Sequence, residues 1–262
     1  MKLSISNIAW TAENDEYMYK YLAEEGIEGL EIAPTRIFNE APYEKLSDAR
    51  IFANSLKENY GLKISSMQSI WFGRVENFFS SSEERQALLR YTKKAIDFAN
   101  VIGCGNLVFG CPKNRNIGSC DQYYIAVEFF TSLGEYADSK NTVIAIEPNP
   151  TIYNTNFINT TEQAFELVNA VNIPGIMVNI DLGTIIHNRE CMQTIYNNIH
   201  LVNHFHISEP YLEKIQVRDM HKALAMELKS MNYDKYISIE MKNLNDIVSV
   251  EDTIKYVKEI FA

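Results

Sequence analysis

A histidine that closes an apolar run, with a carboxylate just beyond it, can bind a divalent metal. The stretch Asn-His-Phe-His-Ile-Ser-Glu-Pro at 203–210 supplies His204, His206 and Glu209 in that pattern. Three other short apolar runs end on an acid: 142–146 runs into Glu147, 176–180 into Asp181, and 236–239 into Glu240. Four successive runs therefore each deliver a histidine or a carboxylate. Read as strands, they alternate faces, so Val143, Ala145 and Glu147 share one side, as do Met177, Asn179 and Asp181, then Val202, His204 and His206, then Tyr236, Ser238 and Glu240. Three carboxylates and an imidazole converging on one spot repel each other unless a cation joins them. An oxygen-rich set with a single nitrogen suits one divalent ion, Mn²⁺, Mg²⁺ or Co²⁺, with Zn²⁺ as an alternative. A lone strand-end glutamate is more often half of a structural ion pair, but four such ends in register favour the metal site.

Around this set stand residues that could meet a substrate. His204 lies two residues deeper than His206, where it would orient a ligand from behind or be a satisfied core histidine. His187 follows Asp181 by six residues, beyond the strand, and would touch substrate or cap the loop. Lys113 and Arg115 are expected to project from the loop after the fourth strand towards a carboxylate or phosphate, against the default of solvated surface charge. Asn149, in Pro148-Asn149-Pro150, and Glu209 lie just past strands and are candidate substrate contacts. Trp10 and Trp71 could wall the pocket against water, or simply pack.

The elements that must position these groups follow from periodicity and punctuation. Strands are expected at 3–9, 29–33, 62–69, 106–110, 142–147, 176–181, 201–207 and 236–240. Between and after them, helices are expected at 15–25, 46–58, from 82 up to Gly103, at 122–138, from 161 to 171, and at 192–199, 217–231 and 250–261. Ser81-Ser82-Glu83-Glu84 and Thr160-Thr161-Glu162-Gln163 have capping-box spacing, and Gly134 falls inside a helical stretch that it should weaken. Eight strands alternating with eight helices, without a linker, imply one (β/α)8 TIM barrel over 1–262, with the acids gathered at its C-terminal mouth. The competing doubly wound sheet lacks support, because the first strand-to-helix turn, Asn7-Ile8-Ala9-Trp10, carries no GxGxxG.

Composition narrows the partners. With 24 Lys and Arg against 34 Asp and Glu, the net charge is −10 and no basic run exists, so nucleic acid and anionic membrane are not expected partners. No apolar stretch is long enough for a bilayer and the first residues do not form a secretory signal, which points to the cytoplasm. Cys104, Cys111, Cys120 and Cys191 show no paired spacing and are expected to be free thiols.

With Glu147, Asp181, His206 and Glu240 closing strands five to eight, and His-x-His-x-x-Glu at 204–209, the chain resembles the xylose isomerase-like TIM barrel superfamily, in its sugar phosphate isomerase/epimerase branch. The resemblance implies a metal held by these four residues in this strand order, with Glu147 and Glu240 also moving the proton. It implies a metal-dependent isomerase or epimerase of a small sugar-like hydroxy-carbonyl compound, acting through an enediolate, alone or as a homo-oligomer. The alternatives are a dehydratase of the inosose or dehydroshikimate type and a non-catalytic ligand-binding barrel. Ketose 3-epimerases of that group place a substrate-binding histidine three residues after the aspartate and an arginine six after the histidine, where this chain has Thr184 and Leu212. The endonuclease IV relatives take histidine ligands from early strands, and this chain has no histidine before His187.

Overall fold

Each apolar run pairs in parallel with the next and the eighth pairs with the first, so the computed structural model, which describes residues 1–262, is a closed (β/α)8 barrel ordered β1 to β8. The elements in chain order are β1 (Lys2–Ser6), α1 (Asp15–Glu24), β2 (Gly29–Ile32), α2 (Pro34–Ile37), α3 (Leu46–Tyr60), β3 (Lys63–Met67) and α4 (Ser82–Ile102). Then come β4 (Asn106–Phe109), α5 (Tyr123–Ser139), β5 (Val143–Ile146), α6 (Thr161–Val171), β6 (Ile176–Asp181) and α7 (Leu182–Asn188). The last are α8 (Gln193–Asn197), β7 (Val202–Ile207), α9 (Asp219–Ser230), β8 (Tyr236–Ile239) and α10 (Ile247–Phe261). Most strand residues are buried on both faces, as a parallel sheet wrapped in helices requires. No helix is long and apolar enough to cross a membrane.

Helix ends follow local chemistry. Ser81 Oγ accepts from the Glu84 amide at the start of α4, and the helix stops at Gly103, whose φ of +69° is the left-handed cap that glycine adopts without cost. The expected reciprocal box is absent there, because the Glu84 carboxylate instead accepts from the Asn77 amide and the Ser80 hydroxyl. At Thr160 and Gln163 the box is complete. The stretch expected as one helix over 192–199 divides into α8 and a 3-10 turn, in keeping with the weak helix preference of Asn197 and Asn198. Gly134 sits within α5 because β6 approaches it closely: a Cβ there would lie 2.7 Å from Ile176 Cγ1 and 3.0 Å from Ile173 Cγ2.

Two irregularities shape the mouth. The register between β2 and β3 shifts at Leu30/Glu31, and that between β6 and β7 shifts at Val178/Asn179. Bulges re-aim the side chains that follow them. Here they precede Glu31 and Asn179, the two residues that grip His206 from opposite ends.

Candidate metal centre

At the C-terminal ends of β5 to β8, one ligand atom from each of Glu147, Asp181, His206 and Glu240 falls within 4.8 Å of the others. His206 Nδ1 lies 2.9 Å from Glu147 Oε1 and 3.1 Å from Glu240 Oε2. Neighbouring ligand atoms of an octahedral cation with bonds of about 2.1 Å sit about 3 Å apart, so these spacings suit a hard divalent ion. All four side chains are buried, and Glu147, Asp181 and Glu240 line a cavity of about 200 Å³.

Each ligand is aimed by a neighbour. Asn179 Nδ2 donates to Glu147 Oε1 at 2.7 Å and reaches His206 Nδ1 at 3.2 Å, while Asn149 Nδ2 donates to Glu147 Oε2 at 3.1 Å. Gln68 Nε2 donates to Glu240 Oε1 at 3.0 Å and to Ser6 Oγ at 3.0 Å. Asp181 Oδ2 accepts from the Thr184 amide and hydroxyl, both at 2.7 Å, so it caps α7, while Ser208 Oγ donates to Oδ1. Two carboxylate oxygens offer about four acceptor positions, leaving Asp181 capacity for a cation.

Behind the mouth, Glu31 Oε2 lies 2.9 Å from His206 Nε2, and both residues are fully buried. When Nε2 keeps its proton and donates to Glu31, Nδ1 presents a lone pair to the mouth, which is how carboxylates behind metal-binding histidines fix the ring. His204 Nε2 is 3.4 Å from the same oxygen and has no hydrogen-bond partner.

The electrostatics call for positive charge. Burial and the nearby Glu147 carboxylate push Asp181 above the usual carboxylate range. Burial pushes Glu240 up to about 7, against the pull of His206. Burial opposes charge on His206, yet Glu240, Glu31 and Glu147 together hold its pKa well above the ordinary imidazole value. Glu31 is also penalised by burial, but His206 and His204 hold it below its ordinary value. One imidazolium offsets a single negative charge, whereas a divalent cation offsets two. The donor set therefore fits a metal on both geometry and charge.

The structure brings Asn149 into the cavity wall with the four ligands, but it does not bring the other expected substrate residues there. Arg115 does not project: it is 0% exposed, and its guanidinium donates to the Glu147 carbonyl at 2.9 Å and the Ile158 carbonyl at 3.2 Å. It ties the loop after β5 to the loop after β4. Arg115→Lys keeps the charge but satisfies one carbonyl at most, and is expected to lower unfolding free energy by about 2 kcal/mol, measured by urea denaturation. Lys113 is exposed and lines a neighbouring cavity.

His187 is exposed in the last turn of α7, a helix that begins directly at Asp181 and carries it away from the mouth. Glu209 is buried and occupied by Arg218, whose Nε donates to Oε1 at 2.7 Å and Nη2 to Oε2 at 2.5 Å. Both tryptophans are packed. Trp10 donates to Asp15 Oδ1, and Trp71 donates to Thr92 Oγ1 with its ring edge-on to Phe109 at 4.8 Å. The cysteines are free thiols.

Glu31 and Gln68 escaped the reading of the sequence. Glu31 lies inside β2 with Ile32 after it, and Gln68 follows β3 but is neither an acid nor a histidine, so neither fits the pattern of strands five to eight.

Comparison with known proteins gives a family match and several likenesses of fold. The family model for the xylose isomerase-like TIM barrel matches residues 19–260. No curated protein matches the chain. Among solved structures, 3-keto-D-glucoside 4-epimerase from E. coli is similar with a TM-score of 0.80 and 20% identity, covering 99% of each chain. D-psicose 3-epimerase, crystallised in the presence of D-fructose, gives a TM-score of 0.81 at 15% identity over 100% of this chain and 99% of its own. A probable 3-DHS dehydratase from Bacillus anthracis gives 0.71 at 16% identity over 99% and 98%. At these identities the likeness establishes the shared fold.

Proposed function

The chain belongs to the xylose isomerase-like TIM barrel family, and from that membership we propose that it is a metal-dependent isomerase or epimerase of a small sugar or sugar-like hydroxy-carbonyl compound, working by proton transfer through an enediolate. The observation that carries this reading is the convergence of the Glu147, Asp181, His206 and Glu240 ligand atoms within 4.8 Å at a cavity. Mn²⁺, Mg²⁺ or Co²⁺ is the expected ion, with Zn²⁺ the alternative. When bound, it supplies Lewis-acid polarisation of the substrate carbonyl.

The residues supply the rest. Glu147 and Glu240 come from strands three apart around the barrel, so they face a bound substrate from different sides. One takes the carbon-bound proton and the other returns one, which is what inversion at a single carbon needs. Asn149, Asn179 and Gln68 fix the two carboxylates in place, limiting the reorganisation each transfer requires. Val108, Pro112 and Leu212 close the apolar side of the cavity and reduce the water around the reacting carbon. The two epimerases of like fold support this reading.

The test is a panel of ketoses, inososes and their phosphates, followed by NMR with protein stripped by chelator and then reloaded with Mn²⁺. An isomer or epimer that forms only in the reloaded protein is the expected result. Release of water to give an unsaturated product would replace the proposal with the dehydratase reading, and no turnover with any metal would favour a ligand-binding barrel.

A further inference from the structure

The mouth cavity does not end at its rim. A second cavity of about 470 Å³ shares Ser69, Cys111 and Pro112 with it, so a molecule held at Glu147 and Glu240 has a continuous path outward. The two halves differ in chemistry. The inner wall has no lysine or arginine, and a phosphate there would face the carboxylates of Glu147, Asp181 and Glu240. It suits a neutral, hydroxylated ring. The outer wall sets the apolar faces of Trp71, Phe72, Val75 and Pro112 beside Arg74, Lys113 and Asn114, and carries no carboxylate.

Phe72 is 69% exposed and Val75 91% exposed, and both sit on the segment between β3 and α4. That segment is held on each side of Phe72. The Phe72 amide donates to the Ser69 carbonyl and the Arg74 amide to the Trp71 carbonyl, both at 2.9 Å. Trp71 is buried against Phe109, and the Arg74 guanidinium lies 4.8 Å from the Tyr91 ring centroid. An aromatic side chain presented to water from a fixed turn, on the wall of a cavity joined to a reactive site, is suited to covering a flat apolar group. Lys113, exposed on the same wall, presents an ammonium to an acceptor on that group.

Resting on the proposed function, we infer that the outer cavity is a subsite for the flat, apolar substituent of a glycoside-type substrate whose sugar ring occupies the inner cavity. The chemistry constrains that ring. A glycoside is an acetal at its anomeric carbon and cannot open to a carbonyl. An acidic C–H between Glu147 and Glu240 then requires a ring hydroxyl already oxidised to a ketone when the substrate arrives.

The experiment is calorimetric binding of unreactive probes to the Mn²⁺-loaded protein: methyl β-glucoside, phenyl β-glucoside and cellobiose. Phenyl β-glucoside is expected to bind about tenfold more tightly than the methyl compound, from stacking on one ring. Phe72→Ala, at an exposed position, should erase that preference. Equal binding of phenyl and methyl probes, a phenyl preference that survives Phe72→Ala, or tighter binding of cellobiose than of the phenyl compound would overturn the subsite. The probes do not react, so the outcome is independent of turnover. If the phenyl preference holds while ketone derivatives of the same glycosides show no proton exchange, the subsite stands and the isomerase reading falls.

Discussion

Glu147→Gln and Glu240→Gln are each expected to lower kcat by about 10² or more, the usual loss when a positioned general base is removed. The amide keeps the shape of the side chain and one oxygen for the cation, so metal affinity should fall far less than the rate. The hydrogen bonds around the two positions favour tolerance of the change. Gln at 240 can still accept from Gln68 Nε2, and Gln at 147 can still accept from Asn179 Nδ2, while its new NH2 meets Asn149, whose amide can flip to offer its unpartnered Oδ1. Steady-state kinetics beside calorimetric Mn²⁺ titration separates the effects. Turnover retained in either variant would show that the ligands were correctly identified and the base was not.

Glu31→Ala is expected to weaken Mn²⁺ affinity by about 10- to 100-fold although Glu31 is not among the four ligands, the loss typical when the group behind a metal-binding histidine is removed. The carboxylate accepts a hydrogen bond from His206 Nε2–H, which leaves Nδ1 as the atom facing Glu147 and Glu240. Without it, Nε2–H has lost its closest partner, and the ring is free to exchange tautomers or turn. Glu31→Gln retains an acceptor and should recover part of the loss. Two readouts distinguish this from general destabilisation: Mn²⁺ titration, and ¹⁵N NMR of the histidine ring in Mg²⁺-loaded protein, where the wild type should carry its one proton on Nε2. Unchanged affinity and an unchanged tautomer in Glu31→Ala would remove Glu31 from the account.

Where an element ended on its own chemistry, the sequence was enough. Glu147, Asp181, His206 and Glu240 each close a short, largely apolar run, and period-two alternation then places them on one face. Glu31 is followed by Ile32 within β2, so it looks like an ordinary polar position in a strand. Its partner His206 is 175 residues away, and only closure of the barrel joins them. Arg115 illustrates the opposite error. A loop arginine is solvated by default, yet here the carbonyls of Glu147 and Ile158, from a loop more than thirty residues later, draw it fully inside. The helix α7 was hidden because Asp181 ends β6 and also caps the helix, leaving no turn between them to mark the change. Glu209 carried the right residue type at the right spacing, but Arg218, nine residues on, occupies it.

In the proposed reaction a proton leaves and returns to one carbon at Glu147 and Glu240. Turnover by Mn²⁺-loaded protein in D₂O of the panel of ketoses, inososes and their phosphates, followed by mass spectrometry and NMR of the product, tests it most directly. One deuterium is expected at the carbon that is epimerised or becomes reduced, with no loss of water from the molecule. Product that forms at full rate without deuterium, as a direct hydride shift would give, contradicts it.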